Sequence, residues 1–427
     1  MARLTLCKAS AALLSLLLGI KSCTGATARA DDAPVVNATE LTLQNLLHLP
    51  AWMAVNLDVT AEPMGGVNPT TNAAGAASWI QQVAVSAELS RGLARAPEQW
   101  QEFDHWSLAL QLTSFNGNPN LNAELGTTFP LQTAAHAVGL WLTEASLQRS
   151  NRSGDLKFKG GLLPLNPSFV ENGSLDGYIH SALNNTLNLL IPGVPINPFV
   201  APGAEVHWKN TVSSELRLGS YWLTPETALA SMFGVNPVQP DVQGSLQIVQ
   251  WNLTDLPGSA AMAQPIASAN GPIERQLPAP LLQIGAFTTT ASSSLLPAAT
   301  NIGAYGTLNL PLPVPIGLDN RVWMGVSNGF NANANPFPLF VAGGWQSQGV
   351  VPGRPLDVLS LGFGRTSFSP HPQLAAGSYE AVLELNYAIN LSTQLTLQPV
   401  IQWIPNAGGG NTGANAYAGG IQLSLSL

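Results

Sequence analysis

The chain ends Ile421-Gln422-Leu423-Ser424-Leu425-Ser426-Leu427, with an apolar residue at every second place up to the last. A period of two puts one set of side chains on each face of an extended strand, so this tail reads as a β-strand with one apolar and one polar face. The same pattern recurs upstream in pieces of about ten residues separated by Gly, Asn, Pro and Ser. Trp106-Ser107-Leu108-Ala109-Leu110-Gln111-Leu112-Thr113 carries Trp and three Leu on one face. Asp155–Lys159, Glu205–Lys209, Glu215–Leu218, Arg321–Val326 and Gln394–Gln398 alternate likewise.

Two structures produce such strands. A soluble β-sandwich turns its apolar faces inward, whereas a transmembrane barrel turns them to lipid and keeps the polar faces for its lumen. Composition favours the barrel. Charged residues make up 9 % of the 427 residues, against roughly 25 % in an average soluble protein, too few to cover a soluble surface of this size. Trp106, Trp141, Trp208 and Trp403 stand near strand ends, as an interfacial aromatic girdle requires. The net charge of −8 and the lack of basic clusters speak against nucleic acid as a partner.

The expected fold class is therefore all-β, a transmembrane antiparallel β-barrel of about 16 strands; fourteen or eighteen fit the length almost as well. The Pro-rich stretches 191–202, 277–280 and 310–315 read as loops or turns, with one of them a candidate for folding into the barrel.

The first thirty residues read as an export signal. Arg3 and Lys8 precede an apolar run, Ala9–Ile20, too short to span a bilayer, and Ala28-Arg29-Ala30 offers a small-x-small cleavage site. Cleavage there removes four basic residues, taking the formal charge from −8 to −12, and removes both cysteines, Cys7 and Cys23. No disulfide framework is then available. Residues 31–75 are less regular and read as a periplasmic segment leading into a barrel of residues 76–427.

Several stretches resemble a known family. Tyr379–Tyr387 looks like the third-from-last strand region of the carbohydrate-selective porins of the OprB type. So does Leu397–Gly409, with its Leu-Gln-Pro, its Gln402-Trp403 pair and its Pro405-Asn406-Ala407-Gly408 turn. Gly343-Gly344-Trp345, Gly353-Arg354-Pro355-Leu356-Asp357 and Leu361-Gly362 are similar to that family's glycine-rich strand pair, and Met64-Gly65-Gly66 matches weakly. The resemblance implies a sixteen-stranded barrel of the bacterial outer membrane, usually a homotrimer, through which sugars diffuse passively. Cyanobacterial relatives often carry a wall-binding module ahead of the barrel, and the stretch before the barrel is too short to hold one.

Strand parity then names the side chains that face the lumen. With Leu156 and Phe158 toward lipid, Lys157 and Lys159 face inward; Arg217, Arg321, Trp323, Glu384, Asn386, Gln398 and Gln402 follow, and Arg354 is added from the glycine-rich motif. The reverse orientation would cost about 2–4 kcal/mol per cation at the bilayer midplane. Trp323 beside Arg321 could both stack on a sugar and replace its water hydrogen bonds, and each of these residues could equally do no more than solvate a wide channel.

No catalytic function is expected. Gly325-Val326-Ser327-Asn328-Gly329 has nucleophile-elbow spacing, but the residues that follow read as a loop where an elbow needs a helix. The six histidines, His48, His105, His136, His180, His207 and His371, lack metal-ligand spacing. No cofactor or metal is expected; the partners are small solutes, sugars first, and outer-membrane lipid. A general or cation-preferring diffusion pore of the same fold and a secreted all-β envelope protein remain open as alternatives.

Overall fold

The computed structural model describes residues 43–71, 73–74, 78–90, 105–136, 138–184, 194–196, 198–223, 243–262, 264–268, 271–290, 300–370, 377–410 and 413–427. The export signal lies outside the described residues, as does His371.

Sixteen long strands make one antiparallel sheet. They are β1 (Met53–Asn68), β2 (Ser78–Ser90), β3 (His105–Gly117), β4 (Gly139–Ser150), β5 (Leu156–Leu163), β6 (Ala201–Thr211), β7 (Ser214–Leu223) and β8 (Gly244–Leu253). The second half is β9 (Leu281–Thr289), β10 (Asn301–Pro311), β11 (Asp319–Gly329), β12 (Leu339–Gln348), β13 (Val358–Ser367), β14 (Tyr379–Asn390), β15 (Leu395–Pro405) and β16 (Asn415–Ser426). Each strand pairs with the next, and β16 returns to β1 over Asp58↔Ser426 to Val67↔Tyr417. Leu57 and Leu427 exchange backbone hydrogen bonds of 3.0 Å in both directions, so the ring closes on the last residue of the chain. Closure removes the unpaired edges that a membrane would leave without hydrogen-bond partners.

The polarity is inverted relative to a soluble protein, and this separates the two structures that alternation allowed. Along β11, Arg321 and Trp323 are 0 % and 2 % exposed, while Met324 and Val326, facing outward, are 58 % and 44 % exposed. Leu108, Leu110, Phe158, Leu218, Ile284 and Ile401 continue the exposed apolar wall. Exposed tryptophans mark both rims. Trp106, Trp208 and Trp251 stand at the end that holds both chain termini of the barrel, and Trp79, Trp222 and Trp403 at the other. These are the two girdles of a membrane barrel.

Three readings of the sequence need correction. The barrel begins at β1, well before residue 76. Its alternation is hidden because Pro63 and Gly65-Gly66 interrupt it, and the β1–β16 ladder skips Glu62 and Pro63. Trp141 is not in a girdle but buried inside the barrel, 5.5 Å from Phe199 between ring centroids. A bulge where Gln111 and Leu112 pair Glu144 and Leu142 inserts one residue into β4 and reverses its parity. Proline is also not confined to loops: Pro202 lies in β6 and Pro399 within β15, where the β14 ladder skips from Asn386↔Val400 to Ile389↔Leu397. Leu310 and Pro311 end β10, the remaining described parts of the Pro-rich stretches are loops, and Val194 and Ile196 are buried inside the barrel.

Candidate functional site

Between β5 and β6 the chain turns into the lumen. From Ser168 to His180 it runs round the inner wall as a belt, bonded to every strand from β6 to β15. From Ser168 to Asn172 the contacts step from β6 to β10 in strand order, and from Ser174 to His180 they spread over β10 to β15. Ser168 donates to Glu205 of β6 (2.5 Å) and its carbonyl accepts from Arg217 of β7 (2.6 Å). Val170 N–H donates to Gln250 of β8 (2.8 Å), and the Glu171 carbonyl accepts from Gln283 of β9 (2.9 Å). Asn172 donates to Thr307 and Ser174 accepts from Asn309, both on β10. The Ser174 carbonyl accepts from Gln346 of β12 (3.1 Å).

Tyr178 follows, its hydroxyl accepting from Trp323 Nε1 of β11 (2.9 Å) and donating to the Leu361 carbonyl of β13 (3.1 Å). The Gly177 carbonyl accepts from Asn386 of β14 and Gln398 of β15. Glu384 of β14 then takes the backbone N–H groups of Ile179 (2.8 Å) and His180 (2.7 Å), one on each oxygen.

Apolar packing explains why the belt stays against the wall. Phe169, Val170, Leu175, Tyr178 and Leu183 join one buried cluster with the inward-facing Tyr221, Phe287, Tyr305, Trp323 and Phe340. Val170 adopts a left-handed φ of 71°, unusual for a β-branched residue, and is held there by this packing and the Gln250 contact. A second inner segment, between β3 and β4, is fixed in the same way. Glu380 accepts from Thr128 and Phe129 N–H, Glu62 from Ala134 N–H, and Gln402 donates to the Leu131 carbonyl. Ser181 Oγ donates to the Pro130 carbonyl, tying the two segments together (2.8 Å).

The belt's wall-facing residues, Asn172, Ser174 and Tyr178, are buried, while Glu171 and Asp176 stand exposed inside the barrel. No described residue donates a hydrogen bond to either carboxylate. Partial burial among low-dielectric walls pushes Glu171 up to about 7, with Asp176 adding to the shift and Arg217 opposing it, and pushes Asp176 up to about 6. Burial lowers His180 to about 3 and His136 to about 4, so both rings are neutral.

The residues named from parity fall into three groups. Arg217, Trp323, Glu384, Asn386 and Gln398 point inward and fasten the belt, and Gln402 fastens the second segment. Arg321 points inward but pairs with Asp319 and donates to the Pro278 carbonyl (2.9 Å), holding the β8–β9 connection. Lys157 and Lys159 lie on the inward parity of β5, and Lys159 pairs with Glu144 at 2.8 Å. Arg354 does not line the barrel wall. It sits in the β12–β13 turn, bonded through Nε to Asp357 at 2.8 Å, because its Gly-Arg-Pro sequence makes a turn and not a strand.

Sequence reasoning missed Gln250, Gln283, Asn309 and Gln346, all at strand positions where parity would have found them, and it missed Glu171 and Asp176. Ser327 lies in mid-strand, paired with Tyr305 and Phe340, with no helix after it, so it forms no nucleophile elbow. Among the described residues there is no grouping that could hold a metal ion.

The pattern that defines the carbohydrate-selective porin, OprB family, matches residues 320–427, the strands from β11 to β16. Over its C-terminal quarter this chain is similar to the OprB family. The fold agrees along nearly the whole length. The high-pH structure of Pseudomonas putida OprB superposes with a TM-score of 0.71 at 16 % identity, covering 90 % of this chain and 96 % of that one. The low-pH structure of the same protein gives 0.50 at 12 % identity, covering 90 % and 95 %. No curated protein sequence matches. The OprB-type segment contains the glycine-rich pair of strands, and Gly344 and Gly362 now have a reason. A Cβ on Gly362 would overlap the Tyr178 ring and one on Gly344 the Tyr178 hydroxyl and Trp323 Nε1, so these glycines are the seat of the belt.

Proposed function

We propose that the chain is an outer-membrane porin that passes small neutral solutes, sugars foremost, by passive diffusion through the space beside the belt. The observation that carries this reading is the exposure of Glu171 and Asp176 inside a closed barrel, which requires solvent along the axis where the belt ends. The match of β11–β16 to carbohydrate-selective porins supports sugars as the solute class. Residues 1–30 serve as the export signal, the barrel end holding both termini faces the periplasm, and the functional unit is a homotrimer.

Swelling of liposomes containing the detergent-purified protein tests the reading. Swelling should fall with solute size, and sugars should enter faster than amino acids or salts of matched size. Absence of swelling from folded, inserted protein would refute an open channel. A cation-preferring pore is the second reading, favoured by the two exposed carboxylates.

A further inference from the structure

Arg149 interrupts the apolar outer wall. It is the next-to-last residue of β4, exposed and on the same lipid-facing parity as Leu147, at the end of the barrel that holds the chain termini. Its directly paired neighbours are both aromatic and both exposed, Trp106 of β3 on one side and Phe158 of β5 on the other. Side chains opposed in this way stand about 4.5–5.5 Å apart at Cβ, so Arg149 is flanked within the aromatic girdle. A cation facing lipid is strongly disfavoured at the bilayer midplane and tolerated near the interface, and one residue from a strand end is the depth of the headgroups.

One row deeper into the wall the outward residues are Leu108, Leu147, Gly160 and Ala204, paired in that order. Two large side chains are followed by two small ones, and an open groove of about 720 Å³ lies there, bordered by Leu147, Arg149, Phe158 and Gly160. Lys159 also borders it but turns its ammonium to Glu144. Backbone geometry does not force the groove. A Cβ on Gly160 would meet only the Gly203 carbonyl oxygen, at 3.7 Å, an ordinary contact, so a side chain would fit where the sequence has none. The groove therefore leads along apolar wall to a cation at the rim, and Arg152, exposed in the turn after β4 beside Asp155, adds a second cation on the headgroup side.

We propose that this face is a specific phospholipid site, in which Arg149 holds the phosphate of a lipid of the periplasmic leaflet and one acyl chain lies in the groove over Gly160. A guanidinium suits a phosphate because its planar fork gives parallel N–H donors to two oxygens. Charge also favours lipid over a second copy of the chain: the apolar wall of a facing barrel would offer Arg149 no anion, whereas a phosphate supplies one. The inference rests on the reading of the chain as an outer-membrane barrel whose termini face the periplasm.

Native mass spectrometry of the detergent-purified protein tests this, with phosphatidylglycerol as the probe and diacylglycerol, inorganic phosphate and lipid A as comparisons. Phosphatidylglycerol should be retained in preference to all three. Arg149→Gln should weaken its binding about tenfold, the worth of one charge-assisted hydrogen bond, and Arg149→Lys should lie between. Gly160→Leu should weaken it as well, by filling the groove. Arg365→Gln is the control, because Arg365 stands exposed at the opposite rim over the Tyr379 ring, and it should bind as the wild type does. Heat-modifiable migration in gels shows that each variant still forms the barrel. Unchanged binding in Arg149→Gln or Gly160→Leu, or an equal loss in Arg365→Gln, would overturn the site. So would Gly160→Leu separating associated copies while phosphatidylglycerol stays bound, which would give the face to a second copy. Preference for lipid A would reverse the orientation of the barrel and overturn the assignment to the periplasmic leaflet. If the wild-type protein needs no detergent and shows no heat-modifiable migration, the membrane-barrel reading itself fails, and the site with it.

Discussion

Tyr178 occupies room left by two absent side chains. Its ring lies over Gly362 and its hydroxyl over Gly344, and that hydroxyl is both acceptor and donor within the wall. Gly362→Ala should therefore lift the belt at this point at a cost of about 1–3 kcal/mol, the usual range for overpacking. The check is a lower thermal transition together with an altered single-channel conductance; a change in neither would mean that the ring has slack to move. His180 sits two residues on, buried, with Nδ1 accepting from Ala182 N–H at 3.1 Å.

Because burial holds its folded value at about 3, below the ordinary 6.5, the proton binds the unfolded chain first. Stability from this group is complete above about pH 6.5 and is lost as pH falls toward 3, on the order of 2 kcal/mol at pH 5. His136 acts in the same direction, while the raised Glu171 and Asp176 act in the opposite one. His180→Asn keeps an acceptor for Ala182 without titrating, so its melting temperature should fall less between pH 7 and pH 5 than that of the wild type.

At the scale of elements, the belt behaves as a seventeenth strand laid across the others, with side chains of the wall in place of a ladder. Its firmest attachment is Glu384, which receives two consecutive backbone N–H groups as well as Asn386 and Gln402. Glu384→Ala leaves both N–H groups buried without an acceptor, at about 1–3 kcal/mol each. That variant should show a larger and noisier single-channel conductance as the belt's end detaches, and Glu384→Gln should lie between it and the wild type.

The wall was readable in the sequence and the belt was not, for a physical reason. Residues such as Arg321, Trp323, Glu384 and Gln402 show their inward orientation through period two, because in a lipid-facing strand every alternate place must be apolar. The belt sequence, Asn166-Pro167-Ser168 through Asn172-Gly173-Ser174, has the composition of any exposed turn. What draws it inward is a set of partners distributed over ten strands, which no local pattern announces. β1 was obscured by its Pro63 and paired glycines, and Trp141 by a bulge that reverses parity partway along β4.

For the molecule as a whole, the sparse charge of the sequence is rationed by location. The outer wall is apolar, and the charged groups that remain stand in the lumen or at the rims, often as pairs: Lys159 with Glu144, Arg217 with Glu215, Arg275 and Arg321 with Asp319. One-to-one pairs cancel along the path, whereas Asp319 meets two arginines, and ion selectivity falls to the groups that make no ion pair. Glu171 and Asp176 form no ion pair with a described residue, and they change charge at about 7 and about 6.

Both are ionised at pH 8, and the channel should then prefer cations. Both are mostly protonated at pH 5, while Arg217 keeps its charge, so the preference should decline or reverse across that interval. Reversal potentials in a potassium chloride gradient read this directly. A Glu171→Gln, Asp176→Asn double variant should show at pH 8 the selectivity the wild type shows at pH 5, with little change between. A wild-type selectivity constant from pH 8 to pH 5 would place the controlling charges elsewhere along the lumen.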